Sequence, residues 1–351
     1  MNSKKRILLA PLDWGLGHAS RCIPIVWQLE AHGFEVVFAA GGRPLLLLMN
    51  EFPKHEFIKL EGYDIRYPKT SNMTLSMLVQ SIKIWRSIRK ENRQLQQIIS
   101  DYNIDGVISD NRYGLYSKKV PCIFITHQLH IQSPFFSEWI QSLNYKYIER
   151  YESCWIPDFS QHQLSGELTK TELPRVPCQF IGGLSRFKVI EQTESLDILA
   201  VLSGPEPQRS MFENLLKKQL LNSKKKALLV LGKTEDNSVK KIGNLKIVGH
   251  LNAKELNQAM VNADLVISRS GYSTIMDLAK LNKKAVFVPT PGQTEQLYLG
   301  KYFYDQKIAF AMHQNQFDLS IAIEKSRIFS GFTSQEEEVN WKDLLAPFYS
   351  E

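Results

Sequence analysis

Short apolar runs alternate with longer amphipathic stretches along this chain, and they do so in two successive series. A parallel sheet needs this rhythm: its strands are covered on both faces and read as continuous apolar runs, and each crossover inserts a helix. The predicted class is therefore α/β. In the first series residues 6–11, 35–39, 104–110 and 121–127 read as strands. Residues 19–33 read as the first helix, with Pro24 tolerated in its early turns and Gly33 as its stop. The second series places strands at 198–203, 227–232, 245–249, 264–268 and 285–289. A chain of 351 residues suits two domains of roughly 150 residues each. Paired glycines at 182–183, followed by weak apolar periodicity, predict domains at 1–183 and 197–333 with a linker at 184–196. In the tail, 334–351, Val339, Trp341, Leu344 and Leu345 form an amphipathic pattern suited to a closing helix that packs back onto a domain.

A hydrophobic share of 43% and a charged share of 23% exclude a disordered or fibrous chain. The net charge of +7 suits anionic partners: nucleic acid, anionic lipid or phosphorylated small molecules. Zinc-finger spacing, an RNA-binding aromatic signature and an arginine-rich tail are all missing from the sequence, which disfavours nucleic acid. The four cysteines, at 22, 122, 154 and 178, contain no Cys-x-x-Cys pair and read as buried free thiols of a reducing cytoplasm, with no zinc site. Lys4-Lys5-Arg6 precedes an apolar run too short for a signal-peptide core or a membrane span, so a cytoplasmic protein is expected.

Directly after the first strand comes Asp13-Trp14-Gly15-Leu16-Gly17-His18, leading into a helix. Gly15 and Gly17 let backbone approach a ligand, and a helix start favours negative charge. A dinucleotide fingerprint would place a glycine where Ser20 stands, and the second strand ends without an acid for the ribose of NAD, so nicotinamide binding is disfavoured. His18 sits at the usual ligand crevice of such sheets. It is a candidate general base, against a plain reading as a surface or capping histidine. Asp110, at the end of its strand, is placed to orient the imidazole, against a plain turn or cap role. His127, Gln128 and His130 follow the next strand, and no nearby group completes a zinc site around the two histidines.

After the strand at 264–268 the chain reads Arg269-Ser270-Gly271-Tyr272-Ser273-Thr274-Ile275-Met276-Asp277. Hydroxyls and free amides at a helix start can cradle a pyrophosphate, and Arg269 adds charge. The next strand leads through Pro289 to Glu295-Gln296, in a loop rich in groups that bond hydroxyls. This arrangement resembles the donor half of glycosyltransferase family 28 and is similar to the signature of plant-type UDP-glycosyltransferases. These families share an Arg-Ser-Gly or His-Cys-Gly turn, an acid eight positions on, and a later proline followed by an acid and glutamine.

The resemblance implies two Rossmann-like domains facing across a cleft, the GT-B architecture, with a UDP-sugar as co-substrate and no cofactor. It puts Ser270, Gly271, Ser273 and Thr274 on the pyrophosphate, Asp277 on the ribose, and Glu295 with Gln296 on the donor sugar. Asp277 is one methylene shorter than the family's usual Glu, which shifts the ribose or admits a bridging water. Ser203-Gly204 stands where the family has a phosphate loop, although Pro205 and Glu206 depart from that pattern. Val248 to Leu251 stands where backbone amides read the uracil edge. Gly15, Gly17, His18 and Pro24 match the family's N-terminal loop more loosely, in the wording of a bacterial and archaeal branch, and His127 with Gln128 falls on its acceptor-side loop.

The expected activity is transfer of a hexosyl or N-acetylhexosaminyl group to a hydroxyl of a saccharide or lipid-linked acceptor. It is expected to be metal-independent, because no Asp-x-Asp motif is present, and inverting. A UDP-sugar epimerase and a non-catalytic sugar-nucleotide binder remain as alternatives. The stretch 76–99 puts Lys83, Arg86, Lys90 and Arg93 at helical spacing beside an apolar stripe of Leu78, Ile82, Trp85 and Ile88. A core-packed helix with a solvated charged back is the preferred reading, and peripheral contact with the inner face of an anionic membrane is the sharper one.

Overall fold

The computed structural model describes residues 4–13, 15–62, 73–131, 137–161, 163–170, 174–233, 236–333 and 338–349; within its helices, side chains are not described for 73–83, 137 and 139. The chain forms two compact units. The first comprises Met1–His162, Glu167–Gly182 and Glu338–Glu351, and the second Gln163–Gly166 and Gly183–Glu337.

The strands of the first unit are β1 (Arg6–Pro11), β2 (Glu35–Ala40), β3 (Glu56–Lys59), β4 (Gly106–Asp110), β5 (Cys122–Ile125), β6 (Ser153–Ile156) and β7 (Cys178–Phe180). They form one parallel sheet in the order β3-β2-β1-β4-β5-β6-β7. The helices are α1 (Leu16–Ala31), α2 (Gly42–Glu51), α3 (Met73–Asp101) and α4 (Ser137–Ile148). The order reverses between β1 and β4, both central and buried, and their carboxyl ends are where such a sheet opens a ligand crevice. Helix α1 begins earlier than the sequence suggests, so Pro24 lies mid-helix, where the carbonyl of Ser20 loses its usual donor. Gly33 takes φ +87° just past the helix end, the left-handed conformation that lets the chain turn into β2.

The second unit repeats the plan. Its strands are β8 (Leu196–Val201), β9 (Ala227–Val230), β10 (Val239–Ile242), β11 (Leu245–Val248), β12 (Ala263–Ser268), β13 (Ala285–Phe287) and β14 (Phe310–Ala311). They are ordered β10-β11-β9-β8-β12-β13-β14, parallel except for β10 at the edge. The helices are α5 (Gln208–Leu221), α6 (Ala253–Asn262), α7 (Tyr272–Lys280), α8 (Thr294–Asp305) and α9 (Leu319–Ser326). Its switch point lies between β8 and β12. A last short helix, α10 (Trp341–Leu344), belongs to the first unit, where Trp341 meets Trp155 edge-on at 5.9 Å and Phe348 meets Phe34 at 6.1 Å.

The predicted linker is part of the second unit. Leu184 and Phe187 are buried; Leu184 N–H donates to Met276 Sδ at 3.2 Å, Lys188 N–H to Asn257 Oδ1 at 3.2 Å, and Asn257 Nδ2 returns to Lys188 O at 3.0 Å. An extended strap has no helical period for sequence reading to find, which is why it reads as a linker. Cys22, Cys122 and Cys154 are buried free thiols and Cys178 is half-buried. No described helix is long and apolar enough to cross a membrane.

Candidate functional site

At the carboxyl ends of β1 and β4, α1 begins on Gly15, whose φ of +102° a side chain would strain, and no side chain caps the helix. Gly17 lies within its first turn. The first amides of α1 thus point at the crevice uncapped. By contrast, α6, α9 and α10 start on Asn252, Asp318 and Asn340, each of which accepts from a first-turn amide.

Asp110, fully buried at the end of β4, lies 3.1 Å from His18 Nδ1 through Oδ1. Its strongest partner is one the sequence reading missed, Arg21, whose Nε donates to Oδ2 at 2.7 Å and whose Nη2 also donates to Oδ1. Burial alone would raise the Asp110 carboxyl, but Arg21 and then His18 hold it well below the usual carboxylate range. Arg21 Nη1 reaches His127 Nδ1 at 2.9 Å, so the buried His127 joins the same cluster. The signal was available: His18 and Arg21 stand three apart and share a helix face. Gln128 is half-buried beside them; its amide donates to Thr126 Oγ1 at 3.0 Å and its carbonyl accepts from Asn144 at 3.1 Å.

A second buried charge pair holds this end of the sheet. Asn111, at φ +56°, turns the chain after Asp110, and Arg112 runs back to Glu91 on α3 at 2.6 Å, to Glu61 O at 2.8 Å and to Pro11 O at 3.4 Å.

In the second unit, α7 starts on Gly271, again without a side-chain cap, and Ser273 and Thr274 stand half-buried in its first turn. Ser270 is buried, and its hydroxyl donates to Gln296 O at 2.6 Å. Gln296 Oε1 accepts from Thr290 N–H at 2.8 Å, so Gln296 ties the 290–296 loop to the Ser270 turn. Glu295 lies half-buried in the first turn of α8. Ser203 is exposed after β8, and Gly204 takes φ +99°, 3.3 Å from Thr290 Oγ1 as measured from where its Cβ would be. Glu206 does not put a bare charge in this loop, because it accepts from Arg209 Nε at 2.7 Å and Ser210 N–H at 3.2 Å.

At two of the expected donor contacts the structure shows partners within the protein. Arg269 is buried and turned inward; it donates to Val288 O at 2.8 Å, Pro289 O at 3.2 Å, Gln208 O at 3.1 Å and Gln314 Oε1 at 2.6 Å, above the Phe212 ring. Burial without a carboxylate partner lowers it to about 10, so it stays charged but holds loops rather than phosphate. Val248 is buried and its carbonyl accepts from Leu231 N–H, while the next residue's amide donates to Ser238 O and its carbonyl accepts from Lys233 N–H. Those peptide groups are committed to the protein, and Leu251, half-buried just ahead of α6, is the nearer candidate.

Asp277 accepts from Ser185 Oγ at 2.5 Å. Burial raises its carboxyl to about 6, against the pull of Arg186 and the Ser185 hydrogen bond. Ser185 and Arg186 come from the strap assigned to the linker, so sequence reading missed both. Among the described residues no group of three or more His, Cys, Asp or Glu is placed to hold a metal ion.

Residues 198–335 match the glycosyltransferase family 28 C-terminal domain. The chain is 24% identical over 313 residues, 86% of its length and 83% of the relative's, to the UDP-N-acetylglucosamine--N-acetylmuramyl-(pentapeptide) pyrophosphoryl-undecaprenol N-acetylglucosamine transferase of Actinobacillus pleuropneumoniae serotype 5b (strain L20). Its fold is similar to that of CalG4, the calicheamicin glycosyltransferase, with TM-score 0.64 at 12% identity over 92% of this chain and 89% of the other. It is also similar to MurG of Acinetobacter baumannii, with TM-score 0.53 at 14% identity over 93% of each chain.

Proposed function

We propose that this chain, a family 28-like glycosyltransferase with the GT-B fold, moves a hexosyl or N-acetylhexosaminyl group from a UDP-sugar to an acceptor hydroxyl. One observation carries the reading: the stretch matched by the family 28 domain contains an uncapped helix start with Gly271, Ser273 and Thr274 in its first turns and Asp277 one turn further on.

In this reading the amides of α7 and the hydroxyls of Ser273 and Thr274 hold the pyrophosphate, Asp277 the ribose, and Glu295 the donor sugar, with Ser203 and Gly204 closing the phosphate side. His18 takes the acceptor's proton as its oxygen attacks the anomeric carbon, the bond from that carbon to the phosphate oxygen breaks, and UDP leaves with the electron pair. The partial positive charge of the α7 start offsets the charge gained by the diphosphate, which makes the transfer metal-independent. A single displacement inverts the anomeric centre.

A lipid-linked acceptor is the finer part of the proposal. The curated relative's name specifies a pyrophosphoryl-undecaprenol substrate. On α3, Ile88, Leu95, Ile98 and Ile99 are buried, while Trp85, Arg86, Arg89, Lys90 and Arg93 are exposed, with Arg89 stacked 3.5 Å over the Trp85 ring. Trp85 thus leaves the apolar stripe assigned to it and joins the basic face; Leu78, Ile82 and Lys83 lie outside the described side chains. An exposed tryptophan among arginines suits an anionic membrane surface at the cytoplasmic face.

Thermal stabilisation screened against UDP-, GDP- and dTDP-sugars tests the donor, since a ligand at about 100 times its dissociation constant adds about 2.7 kcal/mol. Product analysis with and without a polyprenyl-pyrophosphate-linked saccharide tests the reaction. Stabilisation by UDP-sugars with transfer to the acceptor supports it; an altered sugar formed without acceptor marks an epimerase, and binding without turnover marks a binder.

A further inference from the structure

Arg21 follows His18 by one helical turn on α1 and is 3% exposed. Besides forking Asp110, its guanidinium reaches two rings: Nη2 lies 2.9 Å from His18 Nδ1, and Nη1 lies 2.9 Å from His127 Nδ1. A guanidinium carries donors and no lone pair. A ring nitrogen that bonds to it is therefore an acceptor, and the neutral ring carries its proton on Nε2.

The rings differ in what Nδ1 meets. His18 Nδ1 is also 3.1 Å from Asp110 Oδ1, so it can exchange accepting from Arg21 for donating to Asp110. That exchange puts the proton on Nδ1 and leaves the lone pair on Nε2, the state a general base needs. At His127 a proton on Nδ1 would point at the guanidinium, cation against donor. Cys22, a further titratable group among the described residues, has its thiol 3.8 Å from Asp110 Oδ2 and is pushed up by burial and then by Asp110, so it stays neutral and competes for neither ring.

We infer that Arg21 is a positioning residue that divides the work of the two histidines. It holds His127 as a neutral ring protonated on Nε2, unable to serve as a base there, and leaves His18 as the ring that takes the acceptor's proton. The role of His18 rests on the transfer reading; the state of His127 rests on these contacts alone.

Nitrogen-15 NMR of the histidine rings in the full-length chain at pH 7 tests the second part without any substrate. The expected His127 signals are those of a neutral ring with the proton on Nε2. Arg21→Lys keeps the charge and removes the fork, so His127 should become a mixture of tautomers while kcat falls about tenfold or more and UDP affinity stays within twofold. A wild-type His127 that is protonated on Nδ1, or on both nitrogens, overturns the inference, and this result does not depend on whether Arg21→Lys folds. An unchanged His127 spectrum in folded Arg21→Lys overturns it as well. If the wild type transfers no sugar at all, the functional reading fails while the spectra still decide what Arg21 does.

Discussion

The two units present the same crevice of a doubly wound sheet and fill it with different chemistry. At the ends of β1 and β4 the first unit gathers side-chain charge: Asp110 forked by Arg21, with His18 and His127 on the same guanidinium. Beyond β12 the second unit offers amides and hydroxyls around the start of α7, and Arg269, just ahead of that helix, faces carbonyls in the interior. Their carboxylates diverge accordingly: Arg21 holds Asp110 down, and burial lifts Asp277 to about 6. Environments that drive two similar groups apart suit them to different work, in the proposed reading proton handling on one side and hydroxyl binding on the other. The sheet decides where a ligand sits; the residues one turn beyond each strand decide what it meets.

The largest expected difference between the units is in stability. Glu91→Ala strands the buried Arg112 in the first unit and should cost about 3–5 kcal/mol. Arg269→Met in the second removes a cation that bonds uncharged oxygens and should cost about 1.5–3 kcal/mol. Urea unfolding of both variants checks the order; a costlier Arg269→Met would mean that the second unit, too, is held by charge. Next comes Asp277→Ala, for which calorimetry should show UDP bound at least about tenfold more weakly, since a hydrogen bond to a charged group contributes about 1.5–3 kcal/mol. Unchanged affinity would remove Asp277 from the donor site.

A smaller effect follows from pH. Below about 6 the Asp277 carboxyl takes up a proton and accepts hydroxyl hydrogen bonds less strongly, so UDP affinity should fall between pH 7 and 5 in the wild type and less in Asp277→Ala. For stability the two carboxylates have opposite signs. The raised Asp277 destabilises the fold above about 6, and that cost is relieved as pH falls from there to the unfolded value of about 3.9. The lowered Asp110 stabilises above about 3.9 and loses that contribution as pH drops below it. An affinity with the same pH dependence in both proteins would contradict the assignment. The weakest effect concerns the membrane. Charge reversal at Arg86 and Lys90 should reduce co-sedimentation with anionic vesicles in low salt, and recovery in the supernatant with both anionic and neutral vesicles would leave α3 as scaffold.

Both sheets were legible because their central strands are continuous apolar runs; β1 begins and ends where the pattern does. The short strands β6, β7 and β14 carry too few residues to show a period. The edge strand β10 was missed although Gly243-Asn244, a two-residue hairpin signal, joins it to β11, so the pairing that β10 supplies around Val248 was not foreseen. His18 and Asp110 could be found because each ends or follows a strand at the switch point. The direction of Arg269 could not, since sequence does not show that four oxygens wait inside for its guanidinium. Ser185 meets Asp277 across a sequence separation of 92, beyond any local pattern.

The division of labour between the units is the central claim, and His18→Ala tests it most directly when UDP affinity and turnover are measured on the same preparation. The account predicts wild-type UDP binding by calorimetry together with a loss of about 10²–10⁴-fold in transfer at saturating donor. A collapse of UDP affinity with turnover preserved at saturation would contradict it, because His18 would then be a donor-binding residue and proton transfer would have to lie elsewhere.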